Sequence, residues 1–425
     1  MHIAILSSAS PPLRHVSVKR AYNFAHYLPL LGHRTSLVSA DYRFLREDYL
    51  ESVDESRISN FIRIDPNAWF SGFNNQCGVY PLEPHLKCHS LLKRVSTAQR
   101  MLSGWGPWPS WGKRALEELI KLHKKDPIDV VFAIFGNETT HEVAHQFKKL
   151  TRVRWIADFK DPWHHGVEGW ARRVRNLQTR RRLKSCWFVT ETCELQAEAD
   201  QNEFGRPCHI IPSGFDDVKM DLANPIVSEN QSPIEIYYFG SVAKTHSWQR
   251  LIELFKLIDS GPLKNRVSFH WFGTTSEDFL ESLSRAGVSS YFRFSQPVAQ
   301  MEAFGRMKGS QLLLLMPQYN VNLNGGLVGV KELEYIAAGR PILCLGKMHE
   351  QTKKVVEPQL LHECNSAQSA LEFLDRFSKE SELFEPSSFL KSQVERPISR
   401  FSWAHLAEDL SQLIDKELKK LAISS

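Results

Sequence analysis

Asn324 to Pro341 reads N-G-G-L-V-G-V-K-E-L-E-Y-I-A-A-G-R-P and follows the apolar run Leu312 to Met316, which Pro317 closes. An apolar run that short, set between turn formers, matches a strand buried on both faces of a parallel sheet. From Val330 to Ala338 the period becomes helical, with Val330, Leu333, Ile336 and Ala337 on one face, and Gly339 with Pro341 ends it. Strand, glycine loop and helix in that order build an anion site. Gly325, Gly326 and Gly329 let a ligand approach the backbone closely, and the unpaired N–H groups of the helix start favour a phosphate. Lys331 brings a mobile positive charge to the same turn. Glu332 and Glu334 fall on opposite sides of it, so only one of them shares a face with the glycines. Glu334 is taken as that acid, placed to accept from a ribose diol. The same residues also suit a plain connection in which the glycines make a turn and the acids complement the helix dipole.

Around this motif the chain of 425 residues is long enough for two domains, each with its own core. Apolar and charged fractions of 42% and 24% are those of a soluble globular protein. No apolar run approaches the roughly 20 residues of a membrane span, and His2 to Leu6 lacks the basic segment that opens a signal peptide. A cytoplasmic protein is expected. Its 7 cysteines are scattered and form no C-x-x-C pair, which argues against a disulfide framework and a zinc site. A net charge of +5 is too small to imply nucleic acid as a partner.

Met1 to Ser7, a helix from about Ser17 to Leu31, and Thr35 to Ser39 form a β-α-β opening. That is the start of a doubly wound sheet, whose ligand sites lie at the carboxyl ends of the strands. The first loop sets Arg14, His15 and Lys19 at such an end, with Arg20 beside them. Tyr42 to Trp111 shows no sustained period. Within it His85 to Leu102 can form a basic amphipathic helix, followed by Trp105, Trp108 and Trp111. An apolar face, cations and tryptophans suit a helix lying on an anionic membrane, and equally a packed surface helix. Further on, the strand in W-I-A-D-F-K-D-P-W puts Asp158, Lys160 and Asp161 at the ligand edge, although Asp161-Pro162 also fits a helix cap. Trp170 to Lys184 is a dense basic helix, and Glu191 closes the strand after it. Asp217 to Ser232, polar and proline-containing, reads as a linker. The βα pattern resumes at Ile234, where a strand ends in Gly240-Ser241 with Lys244 close behind. Phe401 to Leu421 is a final amphipathic helix.

Gly329 to Pro341 resembles the nucleotide-sugar motif of GT-B glycosyltransferases, in the large retaining family that builds bacterial polysaccharides and glycolipids. Gly329, Lys331 and Glu334 fit a subgroup with the arrangement G-x-K-x-x-E-Y. The acid that many members carry eight positions before the last glutamate is Gly326 here. Asp158 to Trp163, D-F-K-D-P-W, resembles the D-F-R-D-P-W signature of the same subgroup. The resemblance implies an α/β, GT-B protein of two doubly wound domains facing across a cleft. Residues 1–216 would form the acceptor side, 217–232 the linker and 233–400 the nucleotide-sugar side, with 401–425 crossing back. The implied reaction moves a sugar from a nucleoside diphosphate sugar to a hydroxyl of a glycan or lipid-linked acceptor, with retention, without metal and without a further cofactor. By the same resemblance Asp158, Lys160 and Asp161 stand nearest the chemistry. Gly240, Ser241, Lys244, Gly325, Gly326, Gly329, Lys331 and Glu334 would hold the donor, and Arg14, His15, Lys19 and Glu191 would meet the acceptor. A lipid-linked acceptor adds peripheral contact with an anionic membrane. Ser241 stands where members carry an arginine, and the first loop lacks their glycines. These departures keep open a binding or scaffolding protein on the same fold. An epimerase on this fold is less favoured, since its histidine pattern is not visible.

Overall fold

The structure is a computed structural model that describes residues 1–45, 50–65, 104–160, 163, 169–227, 234–241, 248–317, 328–380 and 397–424. The chain divides into two compact units, Met1–Pro212 joined by Trp403–Ser425, and Ser213–Ser402.

In the first unit seven parallel strands lie in the order β3-β2-β1-β4-β5-β6-β7. They are β1 His2–Ser7, β2 Arg34–Ala40, β3 Asn60–Ile64, β4 Val130–Ile134, β5 Arg154–Phe159, β6 Val189–Glu191 and β7 Cys208–Ile210. The near-continuous apolar runs follow from cover on both faces. Ala4, Leu6, Val131 and Ala133 face one core, with Trp111 and Leu119 of α2 (Pro109–Lys125) and Val143 and Phe147 of α3 (Glu138–Thr151). Ile3, Ile5, Val130 and Phe132 face the other, with Phe24 of α1 (Val16–Tyr27). Leu406, Leu410 and Ile414 of the last helix, α13 (Trp403–Ser424), complete that second core. Trp403 meets Phe24 edge-on at 5.8 Å.

The second unit holds six parallel strands in the order β10-β9-β8-β11-β12-β13. They are β8 Ile234–Phe239, β9 Val267–Phe272, β10 Phe292–Ser295, β11 Leu312–Leu315, β12 Ile342–Cys344 and β13 Leu361–Glu363. Both sheets reverse direction once, between β1 and β4 and between β8 and β11. At such reversals the flanking loops diverge and leave a crevice at the carboxyl ends of the strands.

Two expectations change in the structure. Part of the stretch read as a linker is helix α6 (Asp217–Leu222), whose start is capped by Asp216 Oδ1 accepting from the Lys219 N–H at 3.0 Å. Met220 is buried in a core of the second unit, and Lys308 Nζ donates to the carbonyls of Met220 and Ala223 at 3.1 and 2.8 Å. The polar residues there are helix-end chemistry rather than solvated chain. Of the tryptophans read as membrane anchors, Trp108 and Trp111 are core residues, at 5% and 0% exposure and packed on each other at 6.0 Å, and Trp105 packs partly buried against the same core.

The basic helix, α4 (Gly169–Leu183), spends most of its arginines on acids of its own unit. Arg175 pairs with Glu138, Arg180 with Glu203, and both Arg181 and Arg182 with the buried Glu142. Arg182 is itself buried and also donates to the Gly104 carbonyl at 2.7 Å. His85 to Leu102 lies outside the described residues. Among the described residues no helix is long and apolar enough to cross a membrane.

Candidate functional site

The crevice of the second sheet is built by β8, β11 and helix α10 (Val330–Ala338). The β8–β11 ladder stops at Tyr237, so the next outward N–H, that of Phe239, has no strand partner. The buried Tyr335 hydroxyl accepts it at 2.9 Å, which fixes the helix against the strand end. One helical turn earlier, Lys331 Nζ donates to Tyr238 Oη at 2.7 Å and lies 4.0 Å from the centre of that ring. Its ammonium also crowds Gly240, where a Cβ would come within 2.9 Å of Nζ. Gly240 has φ +130°, a conformation open to glycine. Just beyond it, Ser241 Oγ accepts from Thr274 Oγ1 at 2.6 Å. Burial lowers the Lys331 pKa to about 7, and the negative charge of Glu334 opposes that shift.

The two acids of this turn separate as their spacing requires. Glu332 is buried and accepts from Thr352 Oγ1 at 2.9 Å, and burial raises its pKa to about 7. Glu334 is the acid whose charge acts on Lys331. Gly329 caps the helix at φ −78°, and a Cβ there would meet nothing closer than 3.9 Å, so the backbone does not demand glycine. Lys244, Gly325 and Gly326 lie outside the described residues.

In the first unit the carboxylates expected to face an acceptor turn inward. Asp158, at the end of β5, has no solvent exposure. Arg20 clamps it with two bonds of 2.8 and 2.6 Å, and Thr190 Oγ1 donates to it at 2.7 Å. Arg20 reaches on to the carbonyls of Ile211 and Pro212, both at 2.9 Å. This network ties α1 to the ends of β5 and β7, and it leaves Asp158 no free edge for direct chemistry. Glu191 is equally buried, and among the described residues its carboxyl meets only that of Asp200, on α5 (Glu194–Phe204). Burial pushes Glu191 well above the usual carboxylate range, and the Asp200 charge adds to it. Burial likewise raises Asp200 to about 6. Two carboxyls facing each other in a buried site favour a shared proton, with Gln196 Nε2 also donating to Asp200 at 2.6 Å, and Glu191 is turned toward the interior of the unit.

His15 caps α1, its Nδ1 accepting from the Ser17 N–H at 3.2 Å. Arg14, Lys19 and Lys160 are half-buried at the same end of the sheet, and Asp161 lies outside the described residues. Sequence reasoning missed Tyr238, Tyr335, Arg20 and Asp200 as parts of these networks. The tyrosine of K-E-L-E-Y was the one available signal, an aromatic hydroxyl fixed one turn after the lysine.

No family model matches the sequence, and no curated protein sequence matches it. The fold itself is GT-B, α/β with two doubly wound parallel sheets, and solved structures share it along the whole chain. Sucrose-phosphate synthase from Thermosynechococcus elongatus is 14% identical with a TM-score of 0.66, covering 100% of both chains. Anabaena HepE in complex with UDP-glucose is 12% identical with a TM-score of 0.60, over 98% of this chain and 100% of that one. A protein described as a UDP-N-acetylglucosamine 2-epimerase from Listeria monocytogenes is 9% identical with a TM-score of 0.52, over 99% and 97%. The structural neighbours are thus GT-B glycosyltransferases together with an epimerase-like chain, and the choice between reactions rests on the site.

Proposed function

We propose that the chain is a glycosyltransferase that moves a sugar from a nucleoside diphosphate sugar to a hydroxyl of a glycan or lipid-linked acceptor, in cell-surface polysaccharide biosynthesis. The observation that carries this reading is Lys331 seated against Tyr238 and Gly240 at the crevice of the second sheet, with Glu334 one turn along the same helix and its charge acting on the lysine. A cation and a carboxylate one turn apart, beside a glycine and a helix start, match a diphosphate followed by a ribose. The neighbour solved with UDP-glucose supports the donor class.

In the reaction the acceptor oxygen bonds to the anomeric carbon, and the bond from that carbon to the diphosphate oxygen breaks. The electron pair leaves with the diphosphate, and the hydroxyl proton passes to the departing phosphate. Transfer would proceed with retention. Lys331 and the helix-start amides stabilise the charge that develops on the leaving group, the largest kind of contribution in such sites. This assigns charge neutralisation to protein groups rather than to a metal.

On the acceptor side Asp158 and Glu191 are both turned inward. That observation favours a second reading, a nucleotide-sugar-binding protein without transfer. A cytoplasmic site of action and contact with an anionic membrane belong to the first reading. The membrane part draws support only from the sequence of His85 to Leu102.

The test is thermal unfolding of the full chain with a panel of sugar nucleotides, followed by product analysis with the stabilising donor. A ligand present at about 100 times its Kd adds about 2.7 kcal/mol to stability, a rise of several degrees. A rise with release of nucleoside diphosphate supports the transferase. A rise without turnover in the presence of glycan acceptors selects the binding protein, and no rise with any donor overturns both.

A further inference from the structure

Two glycines draw the carboxyl ends of β8 and β9 together. The Gly240 N–H donates to the Phe272 carbonyl at 2.8 Å, and a Cβ at Gly273 would run into the Gly240 carbonyl, so only glycine there lets the two backbones touch. The residues that follow these glycines are therefore neighbours. Ser241 and Thr274 both stand exposed at this end of the sheet, and Thr274 Oγ1 donates to Ser241 Oγ at 2.6 Å. The Ser241 carbonyl is occupied as well, because the buried Tyr238 hydroxyl donates to it at 3.3 Å. That same hydroxyl accepts from Lys331 Nζ at 2.7 Å. One phenol thus ties the backbone of Ser241 to the ammonium of Lys331.

A pair of hydroxyls brings a pair of protons, and the bond between them spends only one. The Thr274 proton goes to Ser241, and among the described residues the Ser241 proton has no acceptor. A hydroxyl that already accepts a bond is polarised and donates more strongly through its own proton. What stands beside the lysine is therefore an unspent O–H donor, and a donor next to a cation selects an anion. We infer that Ser241 donates to the outer phosphate of a bound nucleoside diphosphate, and that Thr274 is the positioning residue that turns the Ser241 proton toward it. The inference deepens the nucleotide-sugar reading of this crevice and rests on it. The outer phosphate is the one whose oxygen gains charge as the sugar departs, so a donor fixed there acts on the leaving group together with Lys331. Threonine suits the task because it fills the acceptor side of Ser241 and leaves the serine one useful direction for its proton.

The experiment is calorimetric titration of the full chain with the diphosphates of uridine, guanosine, adenosine, cytidine and thymidine. The tightest of them is then compared with its own monophosphate, in wild type, Ser241→Ala, Thr274→Val, Thr274→Ser and the double variant Ser241→Ala with Thr274→Val. Both side chains are exposed, so none of these changes opens a core. Ser241→Ala should weaken the diphosphate by about tenfold and Thr274→Val by about threefold to tenfold, the loss of a hydrogen bond to a charged group and of its orientation. Because Thr274 acts through Ser241, the double variant should bind no more weakly than Ser241→Ala alone. Thr274→Ser keeps the hydroxyl and should bind as wild type does. The monophosphate, which lacks the outer group, should bind all five proteins alike. Unchanged diphosphate affinity in Ser241→Ala, or an equal loss for the monophosphate, overturns the phosphate contact. Losses that add in full in the double variant, or a Thr274→Ser that behaves like Thr274→Val, overturn the positioning role. Absence of binding by wild type with every diphosphate overturns the nucleotide reading itself.

Discussion

Asp200→Asn probes the buried carboxyl pair of the first unit. Burial raises the Asp200 pKa from 3.8 to about 6, against hydrogen bonds from Glu191, Gln196 and Trp163 that lower it. A carboxyl raised on folding contributes stability that is fully present below its unfolded pKa and is lost as pH climbs through the folded one. The window here runs from 3.8 to about 6. Two pKa units correspond to a loss of about 3 kcal/mol by pH 8, of which about 1 kcal/mol has already gone at pH 4.5. Asparagine keeps an oxygen for Gln196, which donates to Asp200 Oδ1 at 2.6 Å, and turns an N–H toward Glu191. It carries no proton-linked cost of its own. The variant should therefore be more stable than wild type by about 3 kcal/mol at pH 8 and about 1 kcal/mol at pH 4.5. For a unit of this size that is a rise in Tm of about 6–12 °C at pH 8 and about 2–4 °C at pH 4.5. Scanning calorimetry of the full chain at both pH values measures it. An identical shift at the two pH values, or a loss of stability that grows with pH, would refute the shared-proton account.

Arg182→Met should destabilise the first unit by about 3–5 kcal/mol, because it leaves the buried Glu142 with the half-exposed Arg181 as its cation and Gln146 as a neutral donor. Thermal unfolding reads the loss, and a negligible change would mean that Arg182 does not hold Glu142 in the folded unit. Glu334→Gln should weaken uridine diphosphate binding by about 1–3 kcal/mol while the unliganded chain remains folded. Wild-type affinity in a titration would remove Glu334 from the site.

The chain order of most strands and helices was legible because the central strands are covered on both faces and the helices on one, and those two patterns differ in period. Residues 330–338 were read as a helix from the sequence and form one with those bounds, since Gly339 enters the left-handed region at φ 66° and Pro341 forbids continuation. β3 escaped notice because this edge strand is half-buried along most of its length and shows no alternation.

What periodicity cannot give is the identity of the group on the opposing element. It marks Asp158, Glu191 and Lys331 as strand-end or helix-start residues, and charge at such places suggests ligands. Tertiary packing decided otherwise for the first two, by bringing Arg20 across 138 positions of sequence to Asp158 and Asp200 against Glu191. For Lys331 it supplied Tyr238, 93 positions away, whose hydroxyl accepts from the amine at 2.7 Å. The sequence determines which face of its own element a residue occupies. A pairing over such distances depends on the order in which strands lie in the sheet, and that order exists only in the folded unit.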